Sequence, residues 1–218
     1  MTISHHPDEA TLMAFSAGTL SEPFALLVAA HRELCRACRD SARMLDAIGG
    51  TMLEDGSGAS MPATAFESLM ARTADRIEPA GGRLPQLPMR HDGLPSPLAR
   101  LVGGGVEVIR WRRVVAGVED RRIRFPGGKH TLRFLRAQPG KSLPEHGHEG
   151  AEMTLVLRGA LRDGPIVYGA GDVADLDEGV EHNPAVDGAE TCICVIANEG
   201  ATHFKQLRYR VLQRLIGI

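Results

Sequence analysis

Residues 79–97, PAGGRLPQLPMRHDGLPSP, hold five of the thirteen prolines in the chain together with three glycines. Proline fixes φ and removes a backbone donor, so such a stretch neither continues a helix nor enters a central strand. It divides the chain of 218 residues, a length that suits two compact domains. We place these at 1–80 and 99–218, with 81–98 as a linker. The hydrophobic period differs on the two sides.

Before the divide the patterns are helical. Pro7 opens DEATLMAFSAG, with Gly18 as a C-terminal stop. Ser21 stands at the N-cap of a helix carrying FALLVAAHREL, with Pro23 in its first turn. Another helix runs through SARMLDAIGG and ends at Gly49 and Gly50. The segment ATAFESLMARTADRI (63–77) places Phe66, Leu69, Met70 and Ile77 at helical spacing. Leu12, Phe15, Leu26, Phe66 and Leu69 are expected to divide between a core and a partner interface. After the divide the period falls to two. VEVIRW, RIRF, TLRFLRA, EMTLVLRG, GPIVYGAGDVADL and TCICVIAN are short runs rich in β-branched residues, separated by Gly, Pro and Asp. The expected fold is α+β in two parts, an all-α N-terminal domain and an all-β sandwich or small barrel.

The opening MTISHHPDEA lacks the basic patch and apolar run of a secretory signal. FALLVAA is far short of the ~20 residues that a membrane span needs. A cytoplasmic protein with no membrane partner is expected, and in a reducing compartment close cysteines read as metal ligands or redox groups. Residues 1–80 carry 11 Asp/Glu against 6 Lys/Arg, a net −5, and the remainder carries 16 against 19, a net +3, giving the overall −2. An acidic helical domain favours a basic partner and argues against direct nucleic-acid binding.

The stretch HRELCRAC (31–38) sets His31, Cys35 and Cys38 at offsets of 4 and 7. On one continuous helix these fall within roughly 60° of one another. Zinc takes four N/S ligands in structural sites, so a fourth must come from elsewhere, and His5 and His6 are the nearest candidates. The competing reading is a buried helix face with two small soft residues and a satisfied histidine. A second constellation lies in GKSLPEHGHEGAEMTLVLRG (140–159), which places Gly140, His146, His148, Glu152 and Gly159 in the order G-x5-H-x-H-x3-E-x6-G. On a strand His146 and His148 share a face, and His182, at the end of GDVADLDEGVEH, can add a fourth ligand. This donor set suits zinc or another divalent transition metal.

The 140–159 spacing resembles the first motif of the cupin family of small β-barrels. The second cupin motif is looser: Gly171, Gly179 and His182 match, but Asp177 stands for a proline and Val186 for an asparagine. With MTIS-HH, AGTLSE (17–22), HRELCRAC and TCIC in order, the whole chain resembles the ChrR-type zinc-binding anti-sigma factors. That resemblance implies a helical zinc site of His6, His31, Cys35 and Cys38, and a cupin metal site of His146, His148, Glu152 and His182. It implies an N-terminal domain that sequesters a group IV (extracytoplasmic-function) sigma factor, and a cupin that receives singlet oxygen or a related oxidative stress. No catalytic residue is assigned.

Cys192 and Cys194, i and i+2 on a strand, face the same way with Cα atoms about 6.6 Å apart, near the outer limit for a disulfide. They are redox-sensor candidates, extra ligands, or packed core thiols. His91, His130 and His203 find no partner by spacing. The alternative function is a metal-dependent cupin enzyme, of dioxygenase or isomerase class, with a helical oligomerisation module. Glu145, Glu149 and Glu181 are the nearby acids it would draw on.

Overall fold

The computed structural model describes residues 2–74, 93–125 and 130–205. Among these residues five helices precede the strands: α1 (Glu9–Ser16), α2 (Glu22–Leu34), α3 (Arg36–Glu54), α4 (Ala65–Ala74) and α5 (Ser96–Val102). Asp8 caps α1 by accepting the Thr11 N–H, and Gly18 follows it with φ 69°. Ser21 occupies the N-cap of α2, but its side chain makes no capping bond, and Pro23 sits in the first turn.

Four expectations need correction, three of them ahead of the strands. HRELCRAC is not one helix: the chain breaks at Cys35, which has φ −105° and ψ 116°, ends α2 and begins α3. Gly49 and Gly50 do not stop α3, which continues to Glu54; two glycines cost a helix roughly 1 kcal/mol each without breaking it. The proline-rich stretch ends in the helix α5, closed by Gly103 at φ 84°. Residues 79–92 of that stretch lie outside the described residues, as does Ile77, expected to continue the fourth helix.

Among the described residues eleven strands follow. β1 (Arg112–Val115), β2 (Val118–Arg124), β3 (His130–Ala137), β10 (Cys192–Glu199), β5 (Glu152–Arg158) and β8 (Val173–Leu176) form one antiparallel sheet in that order. β7 (Ile166–Gly169), β6 (Ala160–Asp163) and β9 (Ala185–Asp187) form a second, and β11 (Thr202–Phe204) pairs with β4 (His146–His148). VEVIRW holds no strand: Val106–Val108 is a 3-10 turn.

Alternation along the strands makes two cores. One face of the large sheet carries Val118, Leu135, Val156, Cys192, Cys194 and Ile196 into the barrel interior. The opposite face carries Leu132, Phe134, Met153, Leu155, Val195 and Ala197, and Leu12, Phe24, Leu27, Val28, Leu98 and Ala99 of the helices pack on it as one cluster. The helical and β halves thus share a core. No helix among the described residues is long and apolar enough to cross a membrane.

Candidate metal centres

The break at Cys35 builds the first centre. Ending α2 there lets the chain turn, so that Cys35 at the joint and Cys38 in the first turn of α3 both face His31 on α2. His6 arrives from the irregular segment before α1. All four ligand atoms lie within 4.8 Å of one another. His31 Nε2 is 3.2 Å from Cys38 Sγ and 3.5 Å from His6 Nδ1, and His6 Nδ1 is 3.4 Å from each cysteine sulfur. Ligand atoms of a tetrahedral zinc lie about 3.3–3.8 Å apart, given bonds of ~2.0 Å to nitrogen and ~2.3 Å to sulfur. The cluster fits that shape.

The proton inventory also calls for a cation. His31 donates its Nδ1 hydrogen to the Gly171 carbonyl at 2.9 Å, which leaves a bare lone pair on Nε2 facing sulfur. Burial holds His31 down to about 4, and burial and Cys35 push Cys38 up to about 12. A metal must therefore displace a proton from Cys38 as it binds. Of the N-terminal pair, His6 joins the cluster, whereas His5 turns to Asp172 (3.4 Å) and the Tyr168 ring.

The second centre lies inside the barrel. β4 presents His146 and His148 on one face, β5 opens with Glu152, and His182 bridges to His146 across the barrel. All four are buried and converge within 4.8 Å. His146 donates through Nδ1 to Pro144 O (2.7 Å), and His182 through Nδ1 to Asp163 (2.8 Å). Their Nε2 lone pairs then face each other at 3.1 Å, with His148 Nε2 3.0 Å from His182 Nε2. Acceptors so placed repel unless a cation lies between them. Edges near 3.0 Å match ligands at right angles around an ion with ~2.1 Å bonds, an arrangement with further positions beyond four. Burial and the neighbouring histidines lower His146 to about 4 and His148 to about 3, and burial raises Glu152. His146 and His148 are thus held neutral in the site.

Sequence reasoning missed the groups behind these ligands. Asp163 orients His182, and Asn198 donates to Glu152 Oε2 at 2.5 Å. Neither has a telling spacing, because each reaches the site across strands. Gly159, the last motif glycine, has φ 70°, and an added Cβ would meet Thr191 O at 2.9 Å. Cys192 and Cys194 are free thiols, each 1% exposed in the barrel core, and Cys194 is pushed upward by Cys192 and burial. Cys194 borders a small cavity that Glu152, Asp163 and His182 also line. Glu145, Glu149 and Glu181 turn outward: Glu145 and Glu181 pair with Lys205, and Glu149 with His203 at 2.7 Å. His130 opens β3, and His91 lies outside the described residues.

These features define a two-centre protein in which a helical His/His/Cys/Cys cluster is packed on a cupin barrel with a His/His/Glu/His cluster. A family model described as the ChrR cupin-like domain matches residues 102–202. Over 215 residues the chain is 40% identical to the anti-sigma-E factor ChrR of Cereibacter sphaeroides, covering 98% of each. It also superposes on a chain of the crystal structure of Rhodobacter sphaeroides SigE in complex with the anti-sigma ChrR, with TM-score 0.76 and 39% identity, over 91% of this chain and 100% of that one. The chain belongs to the ChrR family of anti-sigma factors.

Proposed function

We propose that the protein sequesters a group IV sigma factor through its helical half, held in shape by zinc at His6, His31, Cys35 and Cys38. The cupin, with a divalent transition metal at His146, His148, Glu152 and His182, receives an oxidative signal of the singlet-oxygen type and brings about release. It acts as a regulator and not as an enzyme. The observation that carries this reading is an apolar surface that has no partner among the described residues. On α3, Met44, Ile48 and Met52 recur every four residues and are 61%, 52% and 72% exposed; on α4, Phe66, Leu69 and Met70 are 69%, 55% and 52% exposed. Such a patch marks a protein interface, and helices that present it are grooved by, or laid into, a partner. The net −5 of residues 1–80 steers a basic, DNA-binding partner towards it. Family membership over the full length supplies the partner's class.

The test is co-expression with the cognate sigma factor, scored by a one-to-one complex and by inhibition of transcription in vitro. Cys35→Ser should abolish both. His146→Ala should leave the complex intact and blunt release under photo-oxidative stress. Loss of the complex on His146→Ala alone would refute this division of labour.

A further inference from the structure

The β7–β8 turn, residues 169–172, belongs to the barrel, yet its polar atoms are directed at the helical half. Asp172, 5% exposed, accepts the backbone N–H of Ser4 at 2.7 Å and of His5 at 3.0 Å through Oδ1. Its Oδ2 accepts the Gly169 N–H at 2.8 Å and stands 3.4 Å from His5 Nδ1. The next strand residue, Val173, donates its N–H to the His5 carbonyl at 3.1 Å. On the other side of His6, Asp8 donates its N–H to Asp175 at 3.2 Å. His6 is therefore flanked by clamped residues, while its own side is exposed. Gly171, whose carbonyl orients His31, has φ 92°, and a Cβ there would meet Ile3 at 2.7 Å. The turn is shaped to receive the N-terminal segment.

We propose that Asp172 is a positioning residue of the helical metal centre: it fixes residues 4–6 so that His6 Nδ1 meets the cysteine sulfurs, and the Gly171 carbonyl fixes the ring of His31. This rests on reading His6, His31, Cys35 and Cys38 as a metal site. Segment 4–8 has no helix or strand of its own, so its order comes from these bonds, and a preordered ligand binds metal more tightly than one that must be ordered on binding. The barrel is thus the outer shell of the helical centre, and a strand whose register is tied to Glu152 (Glu152 pairs with Leu176 of β8) carries both.

The experiment is a cobalt(II) titration of the metal-stripped full chain, read at the thiolate-to-cobalt charge-transfer band. Cys35→Ser identifies the band by abolishing it. Asp172→Ala should weaken the apparent cobalt affinity 10- to 100-fold, the usual effect of removing an outer-shell partner, and Asp172→Asn, which keeps one acceptor oxygen, should recover part of it. The core variant Val195→Ala should leave the midpoint in place. Should Asp172→Ala fail to fold, Asp172→Asn is compared with wild type by hydrogen exchange at the Ser4, His5 and Gly169 amides: the single remaining acceptor oxygen can serve either Ser4 and His5 or Gly169, so one side should lose protection. An unchanged midpoint with unchanged exchange overturns the proposal. Sigma capture on the same samples separates the two readings: a wild-type cobalt band without capture sinks the anti-sigma reading and leaves this one, whereas the absence of any thiolate band sinks the metal site.

Discussion

At the scale of single residues, Cys35 decides the helical centre. Its extended backbone puts a one-residue corner between α2 and α3, so two cysteines and a histidine meet at a point that a straight helix would only line. The spacing showed the ligand types; the corner was not legible, because nothing in HRELCRAC forbids a continuous helix. The choice between His5 and His6 was equally closed to spacing, since it depends on Asp172, far along the chain. The histidines also set an acid limit. His31 and His146 are held at about 4 and His148 at about 3, chiefly by burial, against an ordinary 6.5. Between pH 6.5 and 4 the unfolded chain binds protons that the folded chain refuses, so stability is full above that window and falls as pH drops through it. Glu152 and Asp175, both raised by burial, act in the opposite sense but are two groups against three. In chelator-treated protein the urea midpoint should be flat near pH 7 and fall steadily from pH 6.5 to 4. A midpoint constant down to pH 4 would contradict the burial of these rings.

Among the elements, α3 and α4 show where packing stops. Cys38, Ala42 and Leu45 are the inward positions of α3 at offsets of 4 and 7, and beyond them residues 46–54 are exposed. Of the apolar residues expected to divide between core and interface, Leu12 is buried, Phe15 and Leu26 are half-buried against the core, and Phe66 and Leu69 are exposed. The periodicity placed them on helices, but period alone does not say which face finds a partner inside the chain. Phe66→Asp with Met70→Asp should leave thermal stability within about 0.5 kcal/mol, as for most surface changes, and remove sigma capture in a pull-down. A large loss of stability would mean that α4 packs internally. Most of the strands were legible because β-branched runs are bounded by Gly, Pro and Asp; TCICVIAN is such a run, apolar throughout and buried on both faces, whereas VEVIRW has the same look and forms no strand. The helix α5 was not, because SPLARLV is short and follows a run of prolines; what makes it a helix is the packing of Leu98 and Ala99 against α2, a tertiary effect.

For the molecule as a whole, the shared core matters most. A proline-rich divide suggests two beads on a string, yet α2 lies on the sheet, and Leu27 and Val28 are packed in one cluster with Phe134 and Leu155, all fully buried. Phe134→Ala removes a ring from the seam and should cost about 3–5 kcal/mol. Unfolding followed by Trp111 fluorescence, on the β side, and by the far-UV helix signal should give coincident transitions in wild type and variant alike. Two separated transitions would show that the halves fold independently.

The seam has a further meaning. If the helices swung away, an oily wall of leucine, valine and phenylalanine would stand bare to water, and such a form would clump or be digested sooner than close again. Letting go of a captive by that route would be a one-way act, consuming the guard along with the lock.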